Sequence, residues 1–223
     1  MAHIITKFQR PSTSLLKAFN EHGAATVYEA AGRIGSVDPA IKPLGKGMRL
    51  CGPALTVLCF PNDNLMLHKA LQIAEPGDII VAATGGFPNA GYFGDLMATS
   101  AVARKIGGLA IDGTVRDGVE IVEKGFPVFC RGTCMRGTVK SNLGLINHPT
   151  LFGEVIVSPG DLVIGDEDGI VVIPRNKMKE VLEATRRRVA NEADKAAALS
   201  RGVTSMELNK LDKVFQALGA VEK

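Results

Sequence analysis

The chain has 223 residues, 46% apolar, 22% charged and 5% aromatic, with 26 Lys plus Arg against 23 Asp plus Glu. That length suits one large domain or at most two small ones. A net charge of +3 with no Trp and 2 Tyr argues against a nucleic-acid surface, which needs a basic footprint and stacking aromatics. No apolar run reaches the ~20 residues of a bilayer span, and the opening residues carry no signal-type apolar region, so a cytoplasmic protein is expected. Glycine is in excess, with 25 residues.

In chain order, residues 12–23 predict a helix: Ser12 or Ser14 is placed to cap it, Leu15, Leu16 and Phe19 form its stripe, and Gly23 ends it. A short helix over 27–32 follows Thr26 as its cap. Residues 49–60 read as a buried strand, 65–74 as a helix stopped by Pro76 and Gly77, and 78–83 as a strand. A Gly/Pro loop leads into a helix over 94–105, then a strand over 109–112, a short helix over 119–124 and a strand over 127–130. From 131 to 174 the pattern changes to short strands and turns, among them 154–157, 162–164 and 169–173. Residues 177–201 form a long helix, Gly202 punctuates it, and a last amphipathic helix carries Leu208, Leu211, Val214, Phe215 and Leu218. The fold class is therefore α/β, a mixed sheet joined to an antiparallel one with a helical C-terminal extension.

The four cysteines, Cys51, Cys59, Cys130 and Cys134, have neither CxxC spacing nor a nearby His, which points to reduced thiols and away from zinc. Dinucleotide, P-loop and serine-hydrolase signatures are absent from the sequence. Residues 91–98 run from a Gly-rich loop into a helix whose first turn holds Gly94, Asp95 and Leu96. Free N–H groups and the helix dipole there suit a small anion such as a carboxylate, although Asp95 reads equally well as a plain helix cap. Residues 109–117 carry a strand into adjacent Arg116 and Asp117, at the end of a strand where ligands commonly sit. Adjacent side chains diverge, so the Arg can neutralise an oxyanion while the Asp holds a hard cation; the plain alternative is a solvated charge pair. On the long helix, Met178, Val181, Leu182, Thr185 and Val189 define a stripe continuing through Ala193 and Ala196, and Glu192 lies on or beside it. That carboxylate either reaches water from the stripe's edge or meets an Arg, a metal-bound water or a neighbouring subunit's site. His68 is a weak acid/base candidate.

Residues 91–100, 108–117 and 189–192, with 24–30 and 160–163 in support, resemble the class II pyruvate aldolases. These are the 4-hydroxy-4-methyl-2-oxoglutarate/4-carboxy-4-hydroxy-2-oxoadipate aldolases, which share a fold with the regulator of ribonuclease E activity A. The resemblance implies a swivelling β/β/α three-layer domain over 1–176 and a helical extension over 177–223 that packs on a neighbouring subunit of a trimer or hexamer. It implies Mg²⁺ or Mn²⁺ on Asp117, with Asp95 and Glu192 reaching the metal through water and Glu192 coming from the adjacent subunit. Gly94, Asp95, Leu96 and Met97 would surround the pyruvate carboxylate through backbone N–H groups, and Arg116 would hold the oxygen that becomes an enolate. Catalysis would rest on Arg116, Asp95 and Glu192. The implied activity is cleavage of 4-hydroxy-2-oxo diacids to pyruvate and a second keto acid, with oxaloacetate decarboxylation through the same enolate; partners are a small keto acid and other copies of the chain, not nucleic acid or membrane. No Lys is singled out, in keeping with metal rather than Schiff-base activation. The alternative is a regulatory binding protein without chemistry. Regulators carry much of the same pattern but generally lack the helix Glu.

Overall fold

The computed structural model describes residues 3–220. A short strand β1 (His3–Ile4) precedes α1 (Thr13–Asn20), α2 (Ala24–Ala30) and β2 (Lys42–Pro43). Ser12 caps α1, its side chain accepting from Leu15 N. The second helix starts three residues earlier than the sequence suggests. Gly23, not Thr26, is its N-cap, and the Ala24 N–H is satisfied by Asp166 Oδ2 at 2.7 Å, a partner 142 residues away.

The βαβ run follows: β3 (Leu50–Leu58), α3 (Leu65–Ile73), β4 (Ile79–Ala83), α4 (Asp95–Ala103), β5 (Gly108–Ile111), α5 (Gly118–Glu123) and β6 (Val128–Cys130). Strands β3, β4, β5 and β6 pair in parallel, as in Ala54 with Ile79, Ile79 with Gly108 and Leu109 with Val128. Every residue of β4 is buried, as parallel strands covered on both faces require. Then come β7 (Leu145–Ile146), the hairpin β8 (Thr150–Phe152) and β9 (Val155–Val157), and the antiparallel pair β10 (Leu162–Asp166) and β11 (Gly169–Ile173).

Strand β3 joins the two sheets. Its first half pairs antiparallel with β10, Pro53 opposite Leu162, and its second half pairs parallel with β4. The change of partner falls at Gly52 and Pro53, residues that weaken continuous pairing and suit a strand that bends between layers. Along β4, Ile79 and Val81 face the other sheet while Ile80 and Ala82 face the α3–α5 layer. Along β10, Leu162 and Ile164 face outward onto a third layer, Phe19, Val27, Met178, Val181 and Leu182. The expected three-layer β/β/α arrangement is present, with α1, α2 and the C-terminal helix closing the other face.

That helix, α6 (Met178–Ser200), follows a 3-10 turn over Arg175–Lys177. Each fully buried aliphatic side chain contributes about 1.5–3 kcal/mol, so Met178, Val181 and Leu182 anchor its first turns. The expected last helix is instead two short ones, α7 (Ser205–Asn209) and α8 (Asp212–Ala217), because Lys210 adopts a left-handed φ of 53°. Among the described residues no helix is long and apolar enough to cross a membrane.

Candidate active site

The loops after β4, β5 and β6 meet at the C-terminal edge of the parallel sheet, the usual ligand position in such folds. They are tied to one another through the backbone. Gly91 N donates to Arg136 O at 2.8 Å, Tyr92 N to Thr114 O at 3.0 Å, and Arg116 N to Phe93 O at 2.9 Å. Thr114 Oγ1 donates to the carbonyls of Pro88 and Ala90, and the Tyr92 and Phe93 rings are fully buried beneath. This lattice presents Gly94 as the N-cap of α4 in extended backbone.

Side chains of adjacent residues diverge along ordinary backbone, and that is the sequence expectation for Arg116 and Asp117. The structure reverses it. Asp117 takes left-handed backbone, φ 55° and ψ 44°, at a cost of about 1–2 kcal/mol, and its carboxylate turns back toward α4. Asp117 Oδ2 accepts from Asp95 N at 3.0 Å and lies 3.4 Å from Arg116 Nε. A Cβ on Gly94 would stand 2.6 Å from that oxygen and 3.0 Å from Arg116 Nε. A Cβ on Gly91 would likewise stand 2.8 Å from Arg116 Cβ. The glycines therefore let the arginine and the carboxylate close onto the helix start.

The N–H groups expected to bind an anion divide unequally. Asp95 N is taken by Asp117, and Met97 N donates to Gly94 O at 3.1 Å. Of the first three N–H groups of α4, that of Leu96 alone has no acceptor among the described bonds. Asp95 is the first helical residue rather than the cap, and its Oδ1 forms an ion pair with Lys124 Nζ at 2.5 Å. No lysine is expected here from the sequence. Lys124 follows α5, and its place beside Asp95 depends on how α4 and α5 pack, which no spacing records.

Arg116 borders two hollows. One, of about 720 Å³ including its open mouth, also involves Asp117, Val119, Cys134 and Met135. The other, of about 580 Å³ on the same measure, is lined by Gly94, Leu96 and Met97 on one side and by Asn64, His68 and Lys140 on the other. His68 therefore does face the site. Its partial burial and then the Lys140 charge push its pKa below the ordinary value, so the imidazole is neutral at pH 7. Asn64 and Lys140 carry no motif that singles them out.

Glu192 is elsewhere. Thr185 is the last buried residue of the α6 stripe, and Val189, Ala193 and Ala196 are exposed. Glu192 Oε1 lies 2.8 Å from Arg188 Nε, one turn back, and Arg188 also reaches Glu29 at 3.7 Å.

Among the described residues no group of three or more His, Cys, Asp and Glu gathers as a ready metal cage. What the cleft offers is the Asp117 carboxylate, bonded through Oδ2, with Asp95 beside it. A few hard oxygens at a solvent-open mouth fit Mg²⁺ or Mn²⁺, which keep waters and take substrate oxygens rather than demanding an all-protein cage. The thiols are unsuited to the role: burial pushes Cys51 up to about 11 and Cys59 up to about 12.

Residues 24–172 match the family model RraA-like, described as Aldolase/RraA. A protein of Halalkalibacterium halodurans named "Putative 4-hydroxy-4-methyl-2-oxoglutarate aldolase" is 34% identical over 180 residues, covering 81% of this chain and 86% of its own length. Among solved structures, an uncharacterized protein from Pseudomonas syringae superposes with a TM-score of 0.79 at 27% identity, over 89% of this chain and 93% of that one. Streptomyces coelicolor RraAS2, described as an unusual member of the RNase ES inhibitor RraA protein family, gives 0.74 at 27% identity, over 88% of this chain and all of that one.

Proposed function

The chain belongs to the RraA-like family, and from that premise we propose that it is a divalent-metal-dependent pyruvate aldolase. Its substrates are 4-hydroxy-2-oxo diacids such as 4-hydroxy-4-methyl-2-oxoglutarate, and it decarboxylates oxaloacetate through the same enolate. The family contains proteins named for this aldolase activity and proteins described as RNase inhibitors, so the site must carry the choice. The reading is supported by the closure of Arg116 and Asp117 over Gly94 at the start of α4, together with Glu192, the residue that regulators generally lack.

In this reading Asp117 would hold Mg²⁺ or Mn²⁺, aided by Asp95 and by Glu192 of a neighbouring copy. A bound metal supplies Lewis-acid stabilisation of charge developing on the 2-oxo oxygen. The chain's own groups do the rest. Leu96 N–H binds the substrate carboxylate, and the Arg116 guanidinium faces the 2-oxo oxygen as it becomes an enolate oxyanion. The C4 hydroxyl loses its proton, the C3–C4 bond breaks, and its electron pair passes into the enolate of pyruvate while C4 becomes the carbonyl of the second keto acid. Neutral His68 faces the cleft and is available to take that proton; protonation of the enolate at C3 completes pyruvate. The site lies between subunits of a trimer or hexamer, with the helical extension that begins at residue 177 crossing to the neighbour.

The test is release of pyruvate from oxaloacetate, followed with a coupled dehydrogenase with and without Mg²⁺ or Mn²⁺. Metal-dependent release above the uncatalysed rate is the expected result. No such release, from oxaloacetate or from hydroxy-oxo diacids, leaves the regulatory reading in its place.

A further inference from the structure

Lys124 has no part in the proposed steps, although its ammonium rests on a residue of the site. Nζ lies 2.5 Å from Asp95 Oδ1, and the two side chains are 32% and 33% exposed. The Lys177–Glu180 and Arg186–Glu183 pairs are more than half exposed, and solvated pairs of that kind contribute little. Lysine keeps its ammonium in water unless a partner offsets the lost hydration. Here the partner oxygen is itself buried, so the exposure of the carboxylate falls on Oδ2.

The pair is built by α5. Asp117 is the N-cap of that helix and Lys124 its C-cap, about 10 Å apart at the helical rise of 1.5 Å per residue. Helical side chains lean toward the N-terminus, which aims Lys124 back along α5. The two ends of α5 therefore grip one residue of α4. Asp117 Oδ2 accepts from Asp95 N at 3.0 Å, while Lys124 Nζ holds Asp95 Oδ1. Lys124 lines neither hollow beside Arg116, so it does not touch a substrate held there and acts only through Asp95.

We propose that Lys124 is a positioning residue and the counter-ion of the metal site. Its ammonium fixes Asp95 through Oδ1, leaves Oδ2 as the oxygen that serves the cation, and offsets one of the carboxylate charges gathered there. This rests on the aldolase reading and deepens it. Like charges held together repel, and Asp117, Asp95 and Glu192 of a neighbouring copy bring three carboxylates to one divalent cation. Lys124 and Arg116 offset two of the three. Without Lys124 the freed carboxylate adds its full charge to the site and loses its fixed orientation, so the cation is held more tightly and used less well.

The test compares the wild type, Lys124→Met and Lys124→Arg in two measurements. One is steady-state decarboxylation of oxaloacetate at saturating Mn²⁺. The other is Mn²⁺ affinity of the metal-stripped proteins without substrate, read from the EPR signal of the free ion. Lys124→Met is expected to lower kcat roughly 10-fold with KM for oxaloacetate kept within about twofold. The same variant is expected to bind Mn²⁺ roughly three- to tenfold more tightly, because a positive charge has left the neighbourhood of the cation. Lys124→Arg, which keeps the charge and can reach Asp95, is expected to restore both values to within about threefold of wild type. A purely structural role for Lys124 would lower activity without tightening the metal. An active wild type whose Lys124→Met variant keeps kcat within about twofold, or binds Mn²⁺ no more tightly, overturns this inference and spares the aldolase. A wild type that releases no pyruvate overturns both.

Discussion

A methyl group on Gly94 would lie 2.6 Å from Asp117 Oδ2, closer than real side chains pack. The backbone of Gly94, at φ −142°, is open to alanine, so the strain of Gly94→Ala falls on the site rather than on the fold. Steady-state kinetics of that variant are expected to show kcat/KM reduced by roughly 10-fold or more, with a near-native melting temperature. Full activity would show that Arg116 and Asp117 need not meet there. Arg116→Ala is expected to lower kcat/KM about 10²-fold or more, the loss typical of one oxyanion-binding donor, and Arg116→Lys should rescue little of it, because an ammonium lacks the planar fork. Near-normal turnover in either variant removes Arg116 from the reaction. For His68 the sign follows from its depressed pKa: the neutral form persists at pH 7 and is lost as pH falls below the ordinary 6.5. A pH profile of kcat/KM should therefore fall on the acid side below 6.5, and the limb should vanish in His68→Gln. A limb that survives the substitution assigns the proton to another group.

At the scale of elements, α3 and residues 137–142 form one unit through Asp63. Burial works to raise its carboxyl, but donation from the N–H groups of Leu65, Ser141 and Asn142 holds it below its ordinary 3.8. A depressed carboxylate contributes stability that is present above the unfolded value and lost as pH falls through the folded one. Asp63→Asn is therefore expected to cost about 1–3 kcal/mol at neutral pH, with the difference from wild type shrinking below pH 3.8. Urea midpoints at pH 7 and pH 3 check this, and a difference constant with pH would contradict it. Elements with local signals were readable from the sequence: Ser12 caps α1, Pro76 and Gly77 stop α3, and β4 and β10 show their pattern plainly. The α2 start escaped because the Ala24 N–H finds its acceptor on the distant Asp166, and the break at Lys210 escaped because lysine carries no mark of a left-handed backbone. In the site, Gly94, Asp95, Arg116 and Asp117 stood together in two short segments. Lys124, Lys140 and Asn64 join them only through packing between elements distant in sequence.

At the scale of the whole molecule, α6 leaves the body of the chain after Thr185 and exposes Val189 and Leu199 together with Glu192. In a single chain Glu192 pairs with Arg188, so its proposed place in the site requires a second copy. Asp117→Asn and Glu192→Gln proteins, each expected to be nearly inactive, should recover about a quarter of wild-type activity when co-refolded in equal amounts, the fraction of sites with both native residues in a randomly mixed cyclic oligomer. No recovery on mixing would place both residues in the same chain's site or remove Glu192 from it. The excess of glycine has a matching explanation at this scale. Gly91 and Gly94 bring backbone against Arg116 and Asp117, Gly113 is close to Thr84 and Tyr92, and others such as Gly77 and Gly160 make left-handed turns.

The most direct measurement is pyruvate formation from 4-hydroxy-4-methyl-2-oxoglutarate by protein stripped with EDTA and then given Mg²⁺ or Mn²⁺. The aldolase account predicts negligible release from the stripped protein and turnover restored by either ion. Release that is absent with both ions, or that is unaffected by EDTA, would contradict it.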